Sequence, residues 1–132
     1  MRFVTTSAAC FLLAFVSGCG RTRLDMSSSI DVPMEGKGFI VDAAKNQQTV
    51  KVTGTASGAP VSVFIYLEKN KDAAEKDILA NKLVSQFIPT SVQKTEGEFS
   101  LETTVPADEK AVVQVYRASA KTAKVQIHIT NK

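Results

Sequence analysis

Ala123-Lys124-Val125-Gln126-Ile127-His128-Ile129-Thr130 sets the fold class, because apolar and polar residues alternate without a break along it. Successive side chains on a strand point to opposite faces, so this is the period of a half-buried β-strand with Ala123, Val125, Ile127 and Ile129 facing a core. Working back from it, the same alternation recurs. Phe99, Leu101, Thr103 and Val105 form one face of an earlier run, as do Val61, Val63, Ile65 and Leu67 of another. Val50, Val52 and Gly54 alternate with Lys51, Thr53 and Thr55. Weaker strands are expected over Ile30–Val32, Phe39–Ala43 and Phe87–Val92. Turn-formers separate the runs: Ser57-Gly58-Ala59-Pro60, Glu96-Gly97, Pro106-Ala107-Asp108 and Ser119-Ala120-Lys121. Short strands with regular turn signals predict a mostly β protein, an antiparallel β-sandwich.

One segment breaks the period of two. Asp72-Ala73-Ala74-Glu75 reads as a capping box, and Ala74, Ile78, Leu79 and Leu83 then recur at helical spacing. The spacing predicts one inserted α-helix from about Ala73 to Ser85. The strand before it, Val61–Leu67, is apolar on both faces, with Phe64 and Tyr66 opposite Val63 and Ile65. A sheet with one solvated face would carry polar residues there. Phe64 and Tyr66 are therefore expected to be covered, by the inserted helix or by a protein partner or ligand.

The N-terminal residues carry a different signal. Arg2 precedes the apolar stretch Ala8–Val16, which ends in Val16-Ser17-Gly18-Cys19. The apolar run is well short of the roughly 20 residues of a membrane span, and its flanks are those of a secretory signal. These residues resemble the signal peptide and lipobox of bacterial lipoproteins. The resemblance implies cleavage after residue 18, diacylation of Cys19 on sulfur and attachment to a membrane through that lipid. It also implies a cell-envelope location, with Gly20 in place of a retaining aspartate favouring the outer membrane. Gly20–Ser29 is polar and without period, and reads as a flexible tether of roughly 20 Å. The expected organisation is thus residues 1–18 as signal peptide, 19–29 as lipidated cysteine and tether, and 30–132 as one domain.

Removing 18 of the 132 residues leaves 114, the size of one domain. It also removes Cys10, so with Cys19 lipidated the domain has no disulfide and must be held by packing alone. The net charge of +3 is small and its Lys and Arg are scattered, which argues against nucleic acid as a partner.

Within residues 37–130, Val50-Lys51-Val52-Thr53-Gly54-Thr55-Ala56, Ala59-Pro60-Val61-Ser62-Val63, Gly97-Glu98-Phe99-Ser100-Leu101 and Val113-Gln114-Val115-Tyr116 occur in succession. This series resembles the bacterial immunoglobulin-like domains of surface and secreted proteins. The resemblance implies an immunoglobulin-like β-sandwich, from which the helix is a departure.

Enzyme motifs are missing: G-x-S-x-G, H-E-x-x-H, a glycine-rich phosphate loop and C-x-x-C do not occur. His128 is the single histidine, so a zinc site of His and Cys is not expected. As a general base beside a serine it competes with the plainer reading of a solvated histidine on the polar strand face with Gln126 and Thr130. Asp72, Glu75 and Asp77 offer oxygen ligands for calcium, but Lys69, Lys71 and Lys76 lie among them and capping explains them better. Carbohydrate binding would lack tryptophan and rest on Tyr66 and Tyr116. No cofactor is expected. The sequence thus favours a non-enzymatic interaction or structural module with a protein partner in the envelope; the alternatives are a small-ligand or carbohydrate-binding lipoprotein, or an enzyme whose site has no recognisable motif.

Overall fold

The computed structural model of the protein describes residues 24–81 and 86–131. Six strands form one antiparallel sheet: β1 (Asp25–Asp31), β2 (Lys37–Val41), β3 (Gln48–Leu67), β4 (Thr90–Val105), β5 (Ala111–Arg117) and β6 (Lys124–Asn131). Between β3 and β4 lie a 3-10 turn (Glu68–Asn70) and the helix α1 (Lys71–Leu79). The strand order is β1-β6-β3-β5-β2, and β4 pairs with β3.

The twenty residues of β3 organise the rest. Its first part pairs with β6, from Val50↔Asn131 to Ser57↔Lys124, and its last part with β5, from Val61↔Arg117 to Leu67↔Ala111. β4 accompanies β3 throughout, with register shifts between Ala56 and Val61 and between Val61 and Val63. Such irregularities bend strands and increase their twist. The sheet therefore curls, an arrangement consistent with a β-sandwich. One half consists of β1, β6 and the adjoining parts of β3 and β4; the other consists of β2, β5 and the remaining parts of β3 and β4.

The alternating apolar residues explain why the curl is stable. Val50, Val52, Val61, Val63, Ile65, Val113, Val115, Ile127 and Ile129 meet in one core with exposures of 3 % or less. Gly54 is required by a close approach rather than by its backbone angles. A Cβ there would lie 2.5 Å from the Gln126 carbonyl oxygen and 2.6 Å from Cζ of Phe99, whose ring fills that space.

Three sequence expectations are corrected. Ser57-Gly58-Ala59-Pro60 and Glu96-Gly97 do not separate strands as turns: they lie inside β3 and β4, where the chain bends at the register shifts without leaving the sheet. Gly20–Ser29 is not tether throughout, because Asp25–Ser29 belongs to β1, which pairs with β6 from Asp25↔Thr130 to Asp31↔Lys124. The ordered domain thus begins ahead of residue 30. Met26, Ser28 and Ile30 alternate with exposed Asp25, Ser27, Ser29 and Asp31, and the serine at an inward position hides the period. The helix is also displaced from Ala73–Ser85 to Lys71–Leu79. Asp72 lies inside its first turn, while Asn70 occupies the N-cap without a side-chain capping bond. Ala80 N–H donates to the Lys76 and Asp77 carbonyls, and Asn81 follows at φ 61°, left-handed backbone that ends a helix. Leu83 and Ser85 lie outside the described residues.

Candidate interaction surface

The two outer faces of the curled sheet are built from opposite chemistry. On the β2–β5 half, Phe64, Tyr66 and Val112 point outward and are buried with Ala74 of α1 and Ile88. Ile78, Phe87 and Tyr116 complete this second apolar cluster. Phe64 and Tyr66 are 3 % and 0 % exposed, so they are covered within the chain itself. Leu79, expected against them, is instead 85 % exposed, because α1 presents Ala74 and Ile78 to the sheet. Residues three and four apart share a helix face, and Leu79 falls beside that stripe.

Tyr66 Oη has no hydrogen-bond partner among the described residues. Burial, and then the neighbouring Tyr116 and Glu75, push its phenol well above the usual tyrosine range. Burial and Glu75 push Tyr116 up as well. Tyr116 is not a free stacking platform. It meets Phe64 edge-on at 5.9 Å, and a Cβ on Gly36, which sits at φ +88°, would lie 2.6 Å from its ring.

On the β1–β6 half the outward residues are polar, and nothing in the described chain covers them. Strand register aligns them in rows. Ser27, His128, Thr53 and Ser100 form one row across β1, β6, β3 and β4; Ser29, Gln126, Thr55 and Glu98 form the next. Between the rows runs the backbone of Ser28, Ile127, Gly54 and Phe99; the side chains of Ser28, Ile127 and Phe99 belong to the other face of the sheet, and Gly54 has none. These same residues line an open concavity of about 870 Å³. It is a trough that crosses four strands at right angles.

From within the first row, His128 Nε2 donates to Asp25 Oδ1 at 2.6 Å. A histidine held by a carboxylate is two-thirds of a Ser–His–Asp constellation. The third part is not assembled, because no hydroxyl is hydrogen-bonded to the ring among the described residues, and both side chains are about half exposed or more. Beyond the other row, Lys124 and Asp31 form an exposed pair at 3.8 Å.

No group of three or more His, Cys, Asp or Glu residues among those described converges to hold a metal; Asp72, Glu75 and Asp77 form no such set. No described helix is long and apolar enough to cross a membrane. Cys19 and the lipobox lie outside the described residues. The trough was not legible in the sequence as a site, since it exists only once four separate strands are in register. No protein-family model matches the chain, and no curated protein matches it.

Proposed function

We propose that the protein is a lipid-anchored component of the bacterial cell envelope whose immunoglobulin-like β-sandwich acts as a non-enzymatic interaction module. The observation that carries the reading is the asymmetry of the outer faces: one is sealed by α1, and the other offers an uncovered polar trough. The anchor rests on the residues Val16-Ser17-Gly18-Cys19. With β1 starting at Asp25, the chain between Cys19 and the sheet spans at most about 20 Å, so the domain stands against the membrane. The immunoglobulin-like reading is supported by the motif-bearing segments, which fall on β3, β4 and β5 and share one core.

The Asp25–His128 pair is the one observation favouring an enzyme instead, and its open position without a bonded hydroxyl counts against that alternative. Cell fractionation of Cys19→Ser tests the anchor. Two acyl chains hold a protein firmly where one is marginal. The variant should therefore appear unprocessed or released; a processed Cys19→Ser protein that still needs detergent for extraction overturns the reading.

A further inference from the structure

We infer that the trough on the β1–β6 half binds a linear, uncharged polysaccharide, an inference that rests on the interaction-module reading above and names its ligand class. Three features of the trough select that chemistry.

The first is its lining. Ser27, Ser29, Thr53, Thr55 and Ser100 present five hydroxyls and Gln126 an amide, groups that both donate and accept hydrogen bonds. A polyhydroxylated ligand needs that mixed character at every ring. A cation or an anion does not.

The second is charge. Glu98 is the single carboxylate in the lining, and the flanking rows carry Asp25, Lys51 and Glu102 on one side and Asp31 and Lys124 on the other. A polyanion such as nucleic acid would meet Glu98 without a compensating cluster of Lys or Arg. An uncharged chain meets no such penalty.

The third is shape. Strand spacing makes the trough about 14 Å long, and the two-residue step between its walls makes it about 7 Å wide. It is open at both ends, because β1 and β4 each pair on one side only. An open-ended slot of this size takes the middle of a polymer, a few sugar rings at a time, rather than a compact metabolite. A peptide suits it less well. The backbone groups of its floor are already paired in the sheet, whereas a peptide gains its main-chain hydrogen bonds at a free strand edge. Of the rings in the lining, Phe99 is buried and the His128 imidazole is held by Asp25, so the ligand is held by hydrogen bonds rather than by stacking on an aromatic platform.

The test is calorimetric titration of the full chain in detergent with chitohexaose, cellohexaose and maltohexaose, which separate an N-acetylated backbone from plain β- and α-linked glucose. At least one should bind saturably. The double variant Thr53→Val/Thr55→Val, which keeps side-chain shape and strand preference, should weaken it tenfold or more with an unchanged melting temperature. Gln126→Ala, at an exposed position, should weaken it as well and serves if the double variant fails to fold. Absence of binding by all three sugars at millimolar concentration overturns the inference, as does binding that these variants leave intact. Failure here is separable from failure of the parent reading. Membrane fractionation of Cys19→Ser scores the anchor independently, and a protein cross-linked through Ser29 in the absence of sugar would keep the interaction module while overturning this ligand class.

Discussion

Strand β3 carries two different surfaces on its outward side. Over its first part the outward residues are Lys51, Thr53 and Thr55; over its last part they are Ser62, Phe64 and Tyr66. The inward side is apolar in both. The change of three outward residues therefore converts a water-facing sheet into the floor of a second core, and requires a helix to cover it. Even Ser62 is drawn in: it is buried, and its hydroxyl accepts the Lys94 N–H at 3.1 Å where the β3–β4 register shifts. One face is packed beneath a helix, and the other is uncovered among the described residues.

The difference can be broken at several depths. The largest effect belongs to the main core shared by both halves. Ile65→Ala leaves a cavity among fully buried neighbours and should cost about 2–5 kcal/mol, read from denaturant unfolding. A loss below about 1 kcal/mol would mean that the sheet does not close over Ile65.

The second cluster should respond less and more selectively. Ile78→Asp places a carboxylate against Phe64 and Tyr66 and should cost about 1–3 kcal/mol, the range mutational data give for an unpaired buried polar group. Leu79→Asp, one residue along, should stay within about 0.5 kcal/mol, since Leu79 faces water. Equal melting temperatures for the two variants would show that α1 is not the lid.

The smallest effect sharpens the comparison most. Tyr66→Phe removes a buried hydroxyl that has no partner among the described residues and should leave stability unchanged or raise it by up to about 1 kcal/mol at neutral pH. The sign reverses nothing but appears with pH. The folded state holds the Tyr66 phenol protonated beyond the ordinary value of 10.0, so its contribution is intact below that value and is lost as pH rises, once the unfolded chain can ionise and the folded one cannot. Melting temperature should fall more steeply above about pH 10 in the wild type than in Tyr66→Phe, where only the share of Tyr116 persists. Identical alkaline slopes would remove Tyr66 from the account.

How much of this could be read from the sequence depended on whether neighbours in the chain were also neighbours in space. β6 was legible because it alternates apolar and polar residues along its own length. β3, by contrast, looks like two strands in the sequence, because Ser57-Gly58-Ala59-Pro60 is a cluster of turn-formers, and β5 opens on Ala111-Val112-Val113 without alternation. β1 was not legible, since its inward Ser28 breaks the pattern and only pairing with β6 reveals the strand. The existence of a helix was legible from the spacing of Ala74 and Ile78, but its end was not, because Asn81 adopts left-handed backbone ahead of the expected boundary. Phe64 and Tyr66 stood out as a doubly apolar strand, whereas the trough draws single residues from β1, β6, β3 and β4 and has no local signature. Gln126 and Thr55 are unremarkable until register places them side by side.

The placement of β1 has a mechanical consequence under the proposed anchor. The strand nearest the lipid is also a sheet margin, bonded on one side to β6 alone. A pull between membrane and bound ligand would load β1 from its Leu24 end, so the bonds nearest that end carry the force first. The first to take the load are the Leu24 N–H to Asn131 Oδ1 bond and the Asp25–His128 pair. Behind them Asn131 is secured to Gln48, and Gln48 to the Asp42 carbonyl, at the start of the longest strand. Peeling β1 would also withdraw Ser27 and Ser29 from the trough, so tension on the anchor would loosen whatever the trough holds while β3, β5 and β6 keep their core.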